Sequence, residues 1–480
     1  MTRPVAVLFG AFLMASTLID FGPNLAWHDQ QRIAQLIVLL CLPAISWSTV
    51  SRATLAPRGS RFDQLTISIA VFSGIGVVSA FLSTYPRWAF LEWSLLLALV
   101  AGTWVLFHIR RTGDAMDDAP LLLAFVIPTA LILGRMILVY VFALVDGAEI
   151  STKQLSSLGF SNRRFLGQFL TISLPLVCAF AMRAPLGRQR HAALILLAGA
   201  WLLAFTSATR GTIFGTAVAL VVVIALAGRK GWNFTRWQLS AACAGLAAYA
   251  LLFLVIPWAA GTPAAIETRL ARLSSSSGRY ELWGHSLRIA AEHPWFGVGP
   301  MHLAHWRLPS HAAAHPHNAM IQVAAEWGIP ALCVALLAII VLVRRTFSRV
   351  DRSRLDPVDL ALLVAVTGAA AQSFVDGVIV MPVTQTATMV VGGWFAARWF
   401  SLRTASGQQA SSRAPKAAVW MLGLAVVAVA LSAPELKRIV SGVTPLDGSS
   451  SGAFPRFWQQ GWLPQPLPAE AKSAQAGAMP

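Results

Sequence analysis

Histidine and arginine carry the reactive potential of this 480-residue chain, and they are concentrated in one place. Seven of the ten histidines fall between His285 and His317, inside the polar stretch Gly261–Asn318. Five arginines share that stretch: Arg269, Arg272, Arg279, Arg288 and Arg307. Histidine titrates near neutral pH and can take a proton from a hydroxyl. Arginine is permanently charged and planar, and it meets phosphate oxygens in pairs. A base at His317 beside phosphate-holding arginines is therefore one reading. A metal site is another, because His302-x-x-His305 and His311-x-x-x-His315-x-His317 have ligand-like spacing, although no cysteine lies near and the closest carboxylates are Glu281 and Glu292. A third reading makes several of the histidines ordinary polar loop residues.

Three pieces of the stretch have local structure written into them. Ser277-Gly278-Arg279 opens an amphipathic helix with Leu282, Trp283, Leu287, Ile289 and Ala290 on its apolar side. A glycine before a helix, with Arg279 in the first turn, suits a phosphate-facing helix end. Pro294-Trp295-Phe296-Gly297-Val298-Gly299-Pro300 predicts a tight turn with close backbone approach. His315-Pro316-His317-Asn318 stands immediately before an apolar run, which puts His317 at the water end of a helix.

The elements that must hold these pieces are membrane helices. The chain is 56% hydrophobic and only 12% charged, against about 25% charge in a soluble domain. Thirteen apolar runs are candidate spans: 4–20, 32–50, 64–84, 89–107, 121–145, 165–182, 192–207, 211–227, 238–259, 319–343, 357–376, 384–402 and 417–433. The runs are continuous rather than alternating, so the expected fold is an all-α polytopic membrane protein with 12 to 13 transmembrane helices and one large polar loop containing short helices. The pair 192–207 and 211–227, separated only by SATRG, is the weakest of the assignments. Residues 1–433 form the membrane domain, with 260–318 as its reactive loop. Residues 434–480 form a short tail rich in Pro, Gly, Ser and Ala, expected to be poorly ordered, with the patch PRFWQQGW suited to the membrane interface.

The net charge of +17 does not point to nucleic acid, because it is spread over loops. Arg52/Arg58/Arg61, Arg110/Arg111, Arg183/Arg188/Arg190, Arg229/Lys230/Arg236, Arg344/Arg345/Arg349/Arg352/Arg354 and Arg403/Arg413/Lys416 occupy alternate loops. By the positive-inside rule those loops are cytoplasmic, which puts 260–318 and the tail on the far side. The N-terminal run reads as a retained first helix closed by Asp20, and Cys41, Cys178, Cys243 and Cys333 all sit in apolar runs as packing thiols. The arginines on the wrong side for that rule are Arg163, Arg164, Arg210, Arg279, Arg288 and Arg307. They suggest a lipid phosphate or diphosphate, with snorkelling to ordinary headgroups as the alternative. Arg135, inside 121–145, is either functional or, the preferred reading, paired structurally with Asp20, Glu92 or Asp146. Asp376, at the outer end of its helix, orients a base or an arginine, or caps the turn.

Arg279-x-x-x-Trp283, Pro294-x-x-Gly297-x-Gly299, His317-Asn318 and Gly328, preceded by Thr209-Arg210-Gly211 and Asn162-Arg163-Arg164, together resemble the O-antigen ligase/polymerase superfamily across about Leu158 to Gly393. That superfamily includes O-antigen ligases, O-antigen polymerases and bacterial protein O-oligosaccharyltransferases. The resemblance implies an inverting, metal-independent glycosyltransferase without a cofactor, in the bacterial inner membrane, with its active site facing the periplasm. Its donor would be a glycan on undecaprenyl diphosphate, and its acceptor lipid A–core, a growing glycan or a protein. It gives Arg210 and Arg279 the donor diphosphate and His317 the acceptor hydroxyl, with Arg163, Arg164, Asn318, Trp283 and Asp376 in support. The compact loop leaves little room for an acceptor-docking module, the tail is short for the C-terminal domain of protein O-oligosaccharyltransferases, and Gln372-Ser373 stands where those enzymes carry a His-Ser pair. These departures rank ligase ahead of polymerase, and both ahead of protein glycosylation. Two other classes compete: a transporter of an anionic lipid-linked glycan, which would need charges at mid-membrane on several helices where this chain has few, and an envelope assembly protein.

Overall fold

The structure, a computed structural model, describes residues 2–22, 25–52, 64–112, 118–265, 278–306, 308, 313–347, 350–402, 414–441 and 456–459. Ser277, Arg269, Arg272, Arg307, His311 and most of the tail lie outside the described residues. The described chain is almost entirely helical. Its helices are α1 Thr2–Leu18, α2 Trp27–Arg52, α3 Gln64–Leu82, α4 Pro86–Thr112, α5 Ala119–Val145, α6 Thr152–Ser157, α7 Arg163–Arg183, α8 Arg188–Ser207, α9 Arg210–Ala227, α10 Arg229–Ala250, α11 Ile256–Ala260, α12 Arg279–Glu292, α13 Ala319–Trp327, α14 Ile329–Phe347, α15 Pro357–Gln372, α16 Pro382–Ser401 and α17 Ala414–Val440. A π-turn over Leu251–Val255 joins α10 to α11 in one rod. Eight helices among the described residues are long and apolar enough to cross a membrane, which makes this an all-α polytopic membrane protein.

Every apolar run of the sequence carries a helix, including the closely spaced pair. Ala208, at φ 48°, ends α8, and Arg210 starts α9 two residues later. The run 319–343 departs from expectation: it is two helices, not one span. Gly328, at φ +91°, separates α13 from α14, and a Cβ there would stand 2.3 Å from the Trp295 carbonyl oxygen. α13 thus belongs with the polar stretch before it, packed on α12 and α3, and α14 alone continues the apolar run.

α7 is the most buried of the eight spans and packs against α5, α8, α9, α15 and α16. Its 21 residues reach about 30 Å, so its two ends define two faces. At its C-terminus Arg183 lies 3.5 Å from Asp118, which also receives Arg110 and Arg398. Arg398 reaches Asp356 at 2.9 Å and Asp359 at 2.6 Å as well. Lys230 reaches the Leu355 carbonyl at 2.8 Å, joining two of the basic loops at that end. At the other end, a two-residue parallel pairing of Ile150–Ser151 with Ala264–Ala265 ties the connection after α5 to the one after α11.

Two expectations are corrected here. Arg135 is held by neither Asp20, Glu92 nor Asp146. It donates to the Thr17 carbonyl at 3.4 Å and lies over the Trp27 ring at 5.5 Å, because α1 ends beside it and leaves carbonyls to satisfy. The tail patch is not interfacial at its described residues: Arg456, Phe457 and Trp458 are all buried inside the bundle.

The break at Gly328 yields a direct test. Gly328→Ala should lower the thermal stability of the purified protein by about 2 kcal/mol or more. Gly134→Ala, whose Cβ meets nothing within 4 Å, should be neutral or slightly stabilising in the same melting assay.

Candidate functional site

Three helices begin at one point, each with an arginine in its first turn. Asn162 caps α7, its Oδ1 accepting from the Arg164 amide at 3.0 Å, so Arg163 and Arg164 open that helix. α9 opens on Arg210 and α12 on Arg279. Cations are the wrong sign for the positive end of a helix dipole. Three such placements converging together weaken each helix slightly, and helix N-termini and guanidinium groups are both groups that favour phosphate. Arg279 is half-buried, and its Nε is enclosed without a hydrogen-bond partner. Burial lowers its pKa, opposed by Asp376 and reinforced by Arg164 and Arg210, so all four charged groups share one field.

The histidine arm faces this cluster. His317 adopts a left-handed backbone, φ 54°, at a cost of about 1 kcal/mol for a non-glycine residue. Three contacts impose it. The Asn318 side chain caps α13, accepting from the amides of Met320 and Ile321 at 3.0 and 3.1 Å. The Ala319 amide donates to the Ser373 carbonyl at 2.9 Å. Trp283, one turn after Arg279, donates its indole N–H to the Pro316 carbonyl at 2.9 Å. The His317 amide in turn donates to Nδ1 of His315 at 3.3 Å, and the two rings meet edge-on with centroids 4.2 Å apart. His315 is seated against Gly377, where any Cβ would come within 2.4 Å of its ring.

His317 Nδ1 faces Oδ1 of Asp376 across 3.8 Å. Asp376 is itself fixed: Oδ1 accepts from the Gly377 amide at 2.8 Å, and Oδ2 from Nε2 of Gln372 at 3.2 Å. Gln372 is oriented by Thr171, whose hydroxyl donates to Oε1 at 2.6 Å. Burial lowers the His317 pKa to about 4; Asp376 opposes the shift, and Arg164 and Arg279 add to it. The imidazole is therefore neutral at physiological pH. Among the described residues Nδ1 makes no hydrogen bond, and a neutral imidazole is the state a general base needs.

Arg163, Arg164, Arg210, Arg279, Trp283, His317, Asn318 and Asp376 all lie in or directly against this site. Trp283 and Asn318 act as struts for the histidine arm. Arg288 is exposed on α12 and is not drawn in. The inward side of α12 is Leu282, Ser286, Ile289 and Ala290; Leu287 is exposed, contrary to expectation, because the helix turns Ser286 inward instead. The glycines of Pro294–Pro300 approach α13, not a ligand: Val298 and Gly299 donate to the carbonyls of Ala325 and Glu326 at 3.0 and 2.9 Å, and a Cβ on Gly297 would lie 2.4 Å from Glu326. The ligand-like histidine spacing does not assemble a ligand set. His302 spends both nitrogens on backbone, Nδ1 donating to the Pro300 carbonyl at 2.9 Å and Nε2 accepting from the Tyr85 amide at 3.0 Å. Among the described residues no three His, Cys, Asp or Glu side chains gather. Sequence reasoning missed Thr171, and it named Gln372 only as a departure from a His-Ser pair and His315 only within the histidine spacing. The i, i+4 spacing of Gln372 and Asp376 was the available signal for one of them.

The described residues form an all-α membrane bundle with an arginine cluster and a buried histidine together at one end. Residues 192–336 match the family model Wzy_C, described as O-antigen ligase, and the match supports the resemblance to the O-antigen ligase-like superfamily. The match supports a membrane glycosyltransferase activity of the O-antigen ligase/polymerase type, acting on lipid-linked glycan and acceptor substrates. It covers Arg210, Arg279 and His317; Arg163, Arg164 and Asp376 lie outside it. No curated protein matches the chain.

The field around His317 can be measured without substrate. In histidine-labelled protein, its ring should titrate near pH 4, and Asp376→Asn, which removes the negative charge that opposes the shift, should move the midpoint lower still. A midpoint between 6 and 7, near the ordinary value of about 6.5, would contradict the buried geometry.

Proposed function

We propose that the protein transfers a glycan from undecaprenyl diphosphate to an acceptor hydroxyl, in the manner of an O-antigen ligase, at the periplasmic face of the bacterial inner membrane. The observation that carries this reading is the convergence of Arg164, Arg210 and Arg279 with the His317–Asp376 pair where α7, α9 and α12 begin. The basic loops gathered with Asp118 at the opposite end of α7 support the assignment of sides.

In the proposed reaction Arg210 and Arg279 hold the donor diphosphate, with Arg163 and Arg164 adding charge around it. The acceptor hydroxyl lies against Nε2 of His317. Its oxygen attacks the anomeric carbon, its proton passes to His317, and the bond from that carbon to the diphosphate oxygen breaks with inversion. Asp376 stabilises the imidazolium that forms. Charge builds on the departing diphosphate, where arginines and helix ends already point, so little reorganisation is required. Asp376 also keeps Arg279 from facing only like charges before the donor arrives.

The test is a reconstituted reaction of the purified protein with undecaprenyl-diphosphate-linked glycan. Lipid A–core and further lipid-linked glycan are offered as acceptors, with and without chelator. Glycan on lipid A–core, insensitive to chelator, is the expected result. A ladder on the lipid carrier would make the protein a polymerase with the same residues, and no transfer to any hydroxyl acceptor, periplasmic protein included, would reject the proposal. His317→Ala should lower kcat by about a hundredfold or more with the fold retained, and Arg279→Ala should lower kcat/KM by a similar factor. The acid limb of kcat/KM should fall well below the ordinary histidine range, because His317 must be neutral to act and protonates only as pH approaches about 4.

A further inference from the structure

We propose that Arg456 is a positioning residue that holds the histidine, arginine and carboxylate arms of the site in register from the C-terminal segment. The proposal rests on the functional reading above only for its kinetic arm. Arg456 is buried, and its guanidinium bridges two helices: Nε and Nη2 donate to the Glu92 carboxylate of α4 at 3.0 and 2.7 Å, and Nη2 also donates to Glu326 of α13 at 2.5 Å. Glu326 accepts from the Leu303 amide at 3.0 Å through its other oxygen, and its carbonyl accepts from Ser79 at 3.0 Å and Gly299 at 2.9 Å. The C-terminal end of α13 is thereby fixed to α3, α4 and the turn after α12. His317 sits at the opposite end of that nine-residue helix.

The same segment reaches the other two arms through α2. His28 Nε2 donates to the Phe457 carbonyl at 3.1 Å, and the Gln459 amide donates to Asp29 at 2.6 Å. The His28 amide donates to Ser161 Oγ at 3.0 Å, and Gln31 to the Gly159 carbonyl at 2.9 Å. Those residues lead directly into Arg163 and Arg164. Arg32 donates to the Phe457 carbonyl at 3.0 Å and to the Val380 carbonyl at 2.8 Å, in the loop that carries Asp376. Without the guanidinium, two buried carboxylates would face each other and drive α13 away from α4. A lysine would restore the charge but not the planar bridge to both carboxylates.

Hydrogen–deuterium exchange of the full-length protein tests this without any substrate. In R456K and R456M the amides of 313–327 and 159–165 should exchange about tenfold or more faster, while α8, α9 and α10 keep wild-type protection. R456K carries the test if R456M does not accumulate. In the transfer assay R456K should lose about tenfold or more in kcat, with its melting temperature lowered only modestly. Unchanged exchange at both segments, uniformly faster exchange in every helix, or a destabilised R456K with wild-type kcat would each overturn the proposal. Absence of transfer by the wild type would count against the proposed function, and the exchange result would still decide the role of Arg456.

Discussion

The site is organised by positive charges brought together at positive helix ends, with the Asp376 carboxylate set against them at Arg279 and His317. Arg164, Arg210 and Arg279 stand at the starts of α7, α9 and α12, where the helix dipole disfavours a cation. Asp376 is the group that opposes their field at both Arg279 and His317. The rest of the bundle holds these charges in place. α7 is the buried axis, pinned at its far end by the Asp118 cluster and capped at its near end by Asn162. The far end cannot slide without breaking the buried contacts of Asp118.

The histidine arm shows how the fold sets the environment of a side chain. His317 is kept neutral by burial and by two arginines, and its ring direction is set by a strained backbone, by His315 and by Asp376. Asp376 in turn takes its direction from Gln372 and Thr171, so the chain of orientation runs from the core helices α7 and α15 outward to the base. Sequence resemblance alone marks Gln372 as a departure from one related group of enzymes. In the structure it is the residue that aims the carboxylate.

Much of this was legible in the sequence, for identifiable reasons. The apolar runs were long enough that lipid left helices as the only way to satisfy the backbone, so each run gave a helix. The arginines on the sparsely basic side stood out against the loop pattern, and among the described residues Arg164, Arg210 and Arg279 assemble. The apolar run 319–343 misled because hydropathy does not register a glycine at positive φ: Gly328 divides it, and the first half joins the site. Spacing misled for the histidines as well, since His302 looks like a ligand in sequence and is consumed by the backbone of Pro300 and Tyr85.

The sequence by itself determined the class of fold, the helix-start arginines and the histidine beside Asn318, because length, hydropathy and local capping are short-range properties. Tertiary structure alone decided which groups meet. Asp376 and His317 are far apart along the chain, Thr171 and Gln372 farther still, and no periodicity couples them. It also decided the fate of Arg456, a charge in a polar, proline-rich tail with nothing local to suggest burial. Its place between Glu92 and Glu326 follows from two carboxylates on separate helices that only the packed bundle brings face to face.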